Sequence, residues 1–286
     1  MNLLFITPSY TLGGVETQSF HLAEHFIQNG HKVTFVCIRG DEGSLYQKLT
    51  RIGVDCHFFR NLSDLNKVGF YGKLKIIFSF IRFLRKLKPT IILPFTEPIN
   101  TIVNVFRPFT GAKKALFTMR GGTIISGPQS KFKRFVNYSK PIYISNSKHG
   151  AKLQADYLGI AVSKFNVIRN GIKMDIPLKT RAEWRSDLNV AMSDTVFIMV
   201  ANYYVEKKHS LLLEAWGKFE KGKNGVKLLL LGDRSPFDRD YFKAKGIILD
   251  NRLYTSVIQI NGTKDVSGIL KASDCGVLLT KSEGCP

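Results

Sequence analysis

The chain has 286 residues, 44% hydrophobic and 22% charged, ordinary figures for a soluble globular protein of about two domains. Its four cysteines, Cys37, Cys56, Cys275 and Cys285, are scattered without a Cys-x-x-Cys pair, which argues against a disulfide framework or a zinc site and fits a reducing cytosol. The formal charge of +20 is uneven: residues 1–172 hold 24 Lys and Arg against 8 Asp and Glu, a net +16, and the remainder carries +4, so the first half favours an anionic partner such as phosphate, nucleic acid or a membrane surface.

The N-terminus MNLLFITPSY has no basic leader region and reads as a first strand, LLFIT (3–7), rather than a signal peptide. TLGGVET (11–17) follows. Gly13 and Gly14 let the backbone approach a ligand, and residues 15–17 open a helix over 15–29 whose free N–H groups favour an anion. The alternative is a glycine turn with no ligand. Within this helix HLAEH (21–25) spells a metalloprotease-like pattern. On a helical wheel, however, Gln18, His21, His25 and Gln28 share one face opposite Phe20, Ala23, Phe26 and Ile27, which reads as a solvated face.

Strands are expected at KVTFVCI (32–38) and VDCHFF (54–59), then a long helix over 71–87. That helix has an apolar stripe and a basic remainder that includes Lys73, Lys75, Arg82 and Arg85. With a second basic-aromatic cluster, KFKRF, carrying Lys131, Lys133 and Arg134, it admits two readings: a core-packed helix with a solvated basic face, or a surface that rests on anionic lipid headgroups. The apolar stretch 89–106 is broken by Glu97 and three prolines, so no membrane-spanning helix is expected.

Strands at 90–95, 115–119 and 141–145, a helix over 148–158 and a strand at 165–168 complete a first domain, 1–171. FTMRGG (117–122) puts Arg120 on a loop after a strand, either as a clamp for a phosphate or sugar hydroxyl or as a surface arginine. Residues 172–187 read as a linker with one helix. The rhythm restarts over 188–286 with strands at 195–200, 227–231, 257–260 and CGVLL (275–279, expected buried), alternating with helices over 209–219, about 238–251 and about 265–272. Strand, helix, strand in this order means α/β: two Rossmann-like domains with mostly parallel sheets, whose strand C-ends are expected to face a cleft. VANYYVEKKHSLLLEAW (200–216) leaves a strand, carries Lys207 and Lys208 on a loop and enters an amphipathic helix. A lysine fixed there can hold a diphosphate, although a lysine pair alone is usually solvated.

The succession GGVE (13–16), VIRNGI (167–172), VANYYVEKKHSLLLEA (200–215), LLLLGD (228–233) and SEGCP (282–286) resembles the GT-B retaining glycosyltransferases of family 4 over nearly the whole chain. The resemblance implies that Glu283 contacts a donor sugar as the first Glu of an E-x7-E motif. Gly284, Cys285 and Pro286 would form the turn beside the sugar and phosphate. Lys207 would hold the donor diphosphate, Gly13 and Gly14 would close over phosphate and acceptor, and Gly232 would match the glycine after the second strand of the donor domain. Three positions depart from the pattern: Asn202 stands where the family usually has Arg, Arg120 near a common His, and Lys173 in place of the Asp of NGID. The second Glu of E-x7-E would fall five residues after Pro286, so the chain reads as truncated inside its donor site, with an incomplete second domain.

The implied activity is transfer of a sugar, with retention, from a UDP- or GDP-sugar to a saccharide or lipid-linked acceptor in cell-surface polysaccharide or lipopolysaccharide synthesis. No cofactor and no metal are expected; DRD (238–240), the one Asp-x-Asp spelling, reads as a helix cap. The expected location is cytoplasmic, peripheral at the inner face of the plasma membrane. Two rivals remain: an inactive glycosyltransferase-like remnant, and a basic nucleic-acid-binding protein. The second lacks any helix-turn-helix, RNP or zinc-finger signature, so no nucleic acid partner is expected.

Overall fold

The computed structural model describes residues 1–10, 13–65, 67–97, 99–120, 133–173, 175–232 and 239–280, with the side chains of Lys133 and Arg134 excepted. The chain divides into two compact units between Gly171 and Ile172.

The first unit runs β1 (Asn2–Thr7), α1 (Gly14–Gln28), β2 (Lys32–Cys37), α2 (Ser44–Arg51), β3 (Asp55–Phe58), α3 (Phe70–Lys86), β4 (Ile91–Pro94), α4 (Ile99–Thr110), β5 (Lys114–Met119), α5 (Lys133–Val136), β6 (Ile142–Ser145), α6 (Lys148–Leu158) and β7 (Phe165–Val167). Its strands form one parallel sheet in the order β3-β2-β1-β4-β5-β6-β7. Both faces are covered, so successive residues of β1 are buried on opposite sides. Leu4 and Ile6 pack with Ile77, Phe80, Ile81 and Leu84 of α3 and Ile99, Ile102 and Val103 of α4. Leu3 and Phe5 pack with Ala23 of α1 and Leu45 and Leu49 of α2. The chain order reverses between β1 and β4, which makes the carboxyl ends of these strands the usual ligand crevice of such a sheet.

That sheet opens beside the crevice. β4 and β5 pair only at Ile91–Lys114 and Ile92–Ala115. Phe95 N–H donates to Ile6 O on the β1 side, so the bond toward β5 would fall to Pro94, which has no N–H. Side chains of α4 replace the missing ladder. Asn100 Nδ2 donates to Thr118 O at 2.7 Å while Thr118 N–H donates to Asn100 Oδ1 at 3.1 Å. Asn104 Nδ2 donates to Leu116 O at 2.8 Å, and Thr118 Oγ1 donates to Pro94 O at 2.6 Å.

The second unit runs α7 (Arg181–Asp187), β8 (Thr195–Val200), α8 (His209–Phe219), β9 (Val226–Leu231), α9 (Arg239–Asp250), β10 (Val257–Ile260), α10 (Val266–Ala272) and β11 (Cys275–Gly276). The sheet is parallel, in the order β10-β9-β8-β11. Leu228 and Leu230 bury against Leu212, Leu213 and Trp216 of α8 and Tyr241, Ala244 and Ile248 of α9, while Leu229 and Leu231 face Ile269 of α10.

The structure departs from sequence expectation in four places. α2 and α4 were not anticipated. α2 has only eight residues and a Gly43 N-cap without a side chain. α4 is rich in β-branched residues, contains Pro108 and continues the apolar run of β4, which disguises its helical period. The helix expected inside a linker, α7, is built into the second unit. Thr180 and Glu183 form its capping box, and Arg185, 1% exposed, donates to the carbonyls of Ala191, Met192, Asp194 and Ala272 and pairs with Asp274 at 2.7 Å. Finally, CGVLL is not a buried strand. Only Cys275 and Gly276 pair with β8, at Phe197 and Ile198, and both lie exposed on the sheet edge.

Candidate active site

In the first unit, β1 leads to Gly13, the N-cap of α1, in extended backbone (φ −137°). A Cβ at Gly13 would stand 2.8 Å from Glu16 Oε2, whereas one at Gly14 meets nothing within 4 Å. Glu16 itself is buried in the first turn, and burial raises its carboxyl above the usual range. The helix start is thus open at Gly14, but an anion approaching it meets an acid already folded beside Gly13. His21 Nδ1 lies 3.9 Å from Glu24 on the same helix, and His25 is exposed. Gln18 Nε2 donates to Gly171 O at 2.7 Å, which fastens the end of the first unit to α1.

Arg120 follows β5 with its guanidinium 4.6 Å from the centre of the Phe95 ring. Its carbonyl accepts from Asn146 Nδ2 at 3.1 Å, which ties the end of β5 to that of β6. Burial lowers its pKa to about 10, and its Nε is buried without a partner among the described residues. A cation held by stacking rather than by a carboxylate is suited to an incoming oxyanion or hydroxyl. Glu97, two residues past Phe95, has Oε2 buried and unpartnered among the described residues. Asn146 Oδ1 is in the same state. Sequence reading missed Glu97, Asn100 and Asn146. The available signal was slight: Asn146 directly follows an apolar strand run, and Glu97 interrupts one, while Asn100 lies inside α4.

In the second unit, β8 ends at Val200. The chain then turns through Asn202 and a 3-10 turn at Val205–Lys207 before α8 begins. Lys207 N–H donates to Tyr204 O at 2.8 Å, and Lys208, at φ 53°, takes the left-handed conformation that starts α8. The turn is anchored by Tyr203, fully buried, which stacks on His209 at 4.3 Å and accepts a hydrogen bond from Gln259 Nε2 at 2.9 Å. Asn202 and Lys207 are both half-buried. Gly232, after β9, owes its identity to its neighbours: a Cβ there would lie 2.0 Å from Ala201 O and 3.1 Å from Asn202 Cα. Glycine therefore lets the chain that carries Asn202 cross close over the end of β9. Beside the turn a groove of about 330 Å³ is lined by Val205, Lys208, Ser210, Asp240 and Lys243, among others.

Glu283, Gly284, Cys285, Pro286 and Lys131, with the side chains of Lys133 and Arg134, lie outside the described residues. On α3, Lys75, Arg82 and Arg85 are exposed and Lys73 is half-buried. Tyr71 and Phe78 are exposed on the same helix, 85% and 70%, so Tyr71, Lys75, Phe78, Arg82 and Arg85 form one outward stripe at helical spacing. Among the described residues no helix is long and apolar enough to cross a membrane.

Two α/β units with parallel sheets and glycine- and lysine-bearing turns at their strand ends define a GT-B-type protein. The profile of Glycosyltransferase Family 4 matches residues 12–176, more than half of the chain, and the chain belongs to that family. Solved structures agree in fold. The Anabaena protein Alr3699/HepE in complex with UDP-glucose superimposes with a TM-score of 0.75 at 16% identity, over 98% of this chain and 74% of that one. A glycosyltransferase from Rickettsia africae ESF-5 gives 0.78 at 17% identity, over 98% and 73%. A point mutant of S. aureus TarM in complex with Fondaparinux, alpha-GlcNAc-glycerol and UDP gives 0.67 at 11% identity, over 99% and 82%. No curated protein matches the sequence.

Proposed function

We propose that the protein transfers a hexosyl group, with retention of anomeric configuration, from a UDP- or GDP-sugar to a saccharide or lipid-linked acceptor in the synthesis of a cell-surface polysaccharide or lipopolysaccharide. The observation that carries this reading is the turn after β8, where Tyr203 fixes a lysine-bearing loop at the end of a parallel strand. Breaking the anomeric C–O bond drives negative charge onto the departing diphosphate. Lys207, held at that strand end, is placed to stabilise the charge as it develops. The acceptor hydroxyl attacks from the face that the diphosphate leaves, and its proton passes to a phosphate oxygen. Arg120 steadies phosphate or acceptor in the first unit, and Glu283 contacts the donor sugar, as the motif assigns. Asn202 stands in place of a family arginine, so Lys207, with Lys208 beside it, supplies the positive charge of this turn. The complexes of HepE with UDP-glucose and of TarM with UDP and saccharide ligands support a nucleotide-sugar donor and a saccharide acceptor. No metal or other cofactor takes part in this scheme.

The stripe of Tyr71, Lys75, Phe78, Arg82 and Arg85 supports a peripheral seat on an anionic membrane surface at its cytoplasmic face, where basic residues gain from the lipid charge and aromatics from the interface.

The test is to incubate the full chain with a set of UDP- and GDP-sugars and follow nucleotide release and the anomeric proton of any product by NMR. Binding of one nucleotide sugar with formation of a retained product is expected. Failure of every nucleotide sugar to bind would remove the reading.

A further inference from the structure

The opening in the first sheet lies between β4 and β5, and β6 pairs with the other side of β5. A side chain with a buried polar atom that meets no partner among the described residues follows each of these three strands: Glu97 Oε2, Arg120 Nε and Asn146 Oδ1; Thr7 Oγ1 at the end of β1 and Asn104 Oδ1 of α4 are in the same state, as are others elsewhere in the chain. Folded proteins keep few such atoms, because each has given up its hydration without a replacement. Three at neighbouring strand ends point to a ligand that completes them.

Arg120 suits a phosphate. Glu97 does not, because a carboxylate beside a diphosphate repels it. One Glu97 oxygen receives the Thr101 hydroxyl at a long 3.4 Å, and the other is unused. Burial is the largest cause of the shifts of both Glu97 and Arg120, and neither is among the groups that shift the other, so the two do not form an ion pair. A buried carboxyl with a spare oxygen and a separate guanidinium suits a neutral polyol, whose ring hydroxyls donate to the one and accept from the other.

We propose that Glu97 is the residue that reads the acceptor, accepting hydrogen bonds from the hydroxyls of a saccharide unit seated at the β4–β5 opening. The inference rests on the glycosyltransferase reading above and assigns the saccharide chemistry of that reading to one side chain.

A pH dependence follows. Burial raises the Glu97 carboxyl to about 7, against the Thr101 hydrogen bonds, which lower it. The other group coupled to it is the Tyr157 phenol of α6, which burial and then the Glu97 charge push up. A saccharide that donates to the ionised form pulls the Glu97 pKa down. Saccharide affinity should therefore hold above about pH 7 and fall below it, by up to about ten-fold per pH unit.

The experiment uses the full chain carrying ¹³C-labelled glutamate side chains. The Glu97 carboxyl signal is assigned by its loss in Glu97→Gln. It is then titrated alone and with methyl glycosides of glucose, galactose, mannose and N-acetylglucosamine. At least one glycoside should lower the Glu97 midpoint. Glu97→Gln should weaken that glycoside roughly ten- to hundred-fold, as for loss of a charged hydrogen-bond partner, while nucleotide-sugar binding stays unchanged. If a nucleotide sugar binds and no glycoside moves the midpoint, the proposal is overturned and the glycosyltransferase reading stands. If no nucleotide sugar binds, both fall. If the Gln variant folds poorly, the signal is assigned instead by its loss in Glu97→Asp, which keeps the carboxylate, and the titration of the unsubstituted chain decides the matter.

Discussion

Gly232 and Lys207 show how differently two motif residues can be fixed. Gly232 is required by its own fold, because the Ala201 carbonyl passes 2.0 Å from where a Cβ would stand. Gly232→Ala must push back the chain that carries Asn202. A cost of about 1–3 kcal/mol is expected from such overpacking, seen as a lower denaturation midpoint, and donor affinity should fall with it. An unchanged midpoint would show that the turn yields freely. Under the proposed function Lys207 answers to chemistry instead. Lys207→Ala should leave stability nearly unchanged and reduce kcat/KM by about 2–4 kcal/mol of transition-state stabilisation, as for loss of one fixed oxyanion partner. A variant with full kcat/KM would exclude Lys207 from the reaction. Both residues were visible in the sequence as parts of motifs, but the steric reason for Gly232 was not, since it depends on which strand lies beside it. Asn100 and Asn104 were invisible for a similar reason: polar residues in an apolar run gain meaning only once β5 is known to lack a backbone partner there.

At the scale of elements, the strand–helix rhythm could be read because parallel strands buried on two faces are nearly continuous apolar runs. Short or disguised helices, α2 and α4, could not. α7 shows a further limit, since its attachment depends on one arginine. Arg185→Met would strand the carbonyls of Met192, Asp194 and Ala272, whereas Ala191 O keeps the Asp194 N–H and Asp274 keeps Arg181 and the Val196 N–H; the second unit should lose about 3 kcal/mol or more, measurable as earlier unfolding of the Trp184 and Trp216 fluorescence. Asp274 adds a pH signature. Burial raises its carboxyl, but the Val196 N–H, Arg181 and Arg185 outweigh this and hold it below its ordinary 3.8. Its contribution is therefore present above about pH 4 and lost as pH falls through the depressed folded value. Asp274→Asn should flatten the acid limb of the stability curve; an identical limb in both proteins would mean that other carboxylates govern it.

For the whole molecule the governing quantity is charge. The first 172 residues carry +16 of the +20, and α3 turns a mixed basic and aromatic stripe outward. The full chain should sediment with vesicles containing phosphatidylglycerol and not with neutral ones. Raising salt from about 0.05 to 0.5 M should release it, as the Debye length shrinks well below 10 Å. Changing Tyr71 and Phe78 to Ser should weaken binding at every salt concentration, whereas changing Lys75, Arg82 and Arg85 to Gln should mainly remove the salt dependence. Equal binding to neutral vesicles would mark the basic face as merely solubilising.

The opening between β4 and β5 has a mechanical meaning as well. A sheet under strain parts where the fewest backbone bonds cross it. In the first unit, the backbone ladder between a four-strand raft and a three-strand one has two residue pairs, with the Lys113 and Lys114 N–H groups on Thr90 O, and side-chain stitches from α4 and Thr118, with a shared core, carry the rest. A load across the sheet is expected to part the rafts along this seam before it breaks any strand. If a saccharide is seated at this seam as proposed, a small tilt would change the gape that it meets without unfolding either raft.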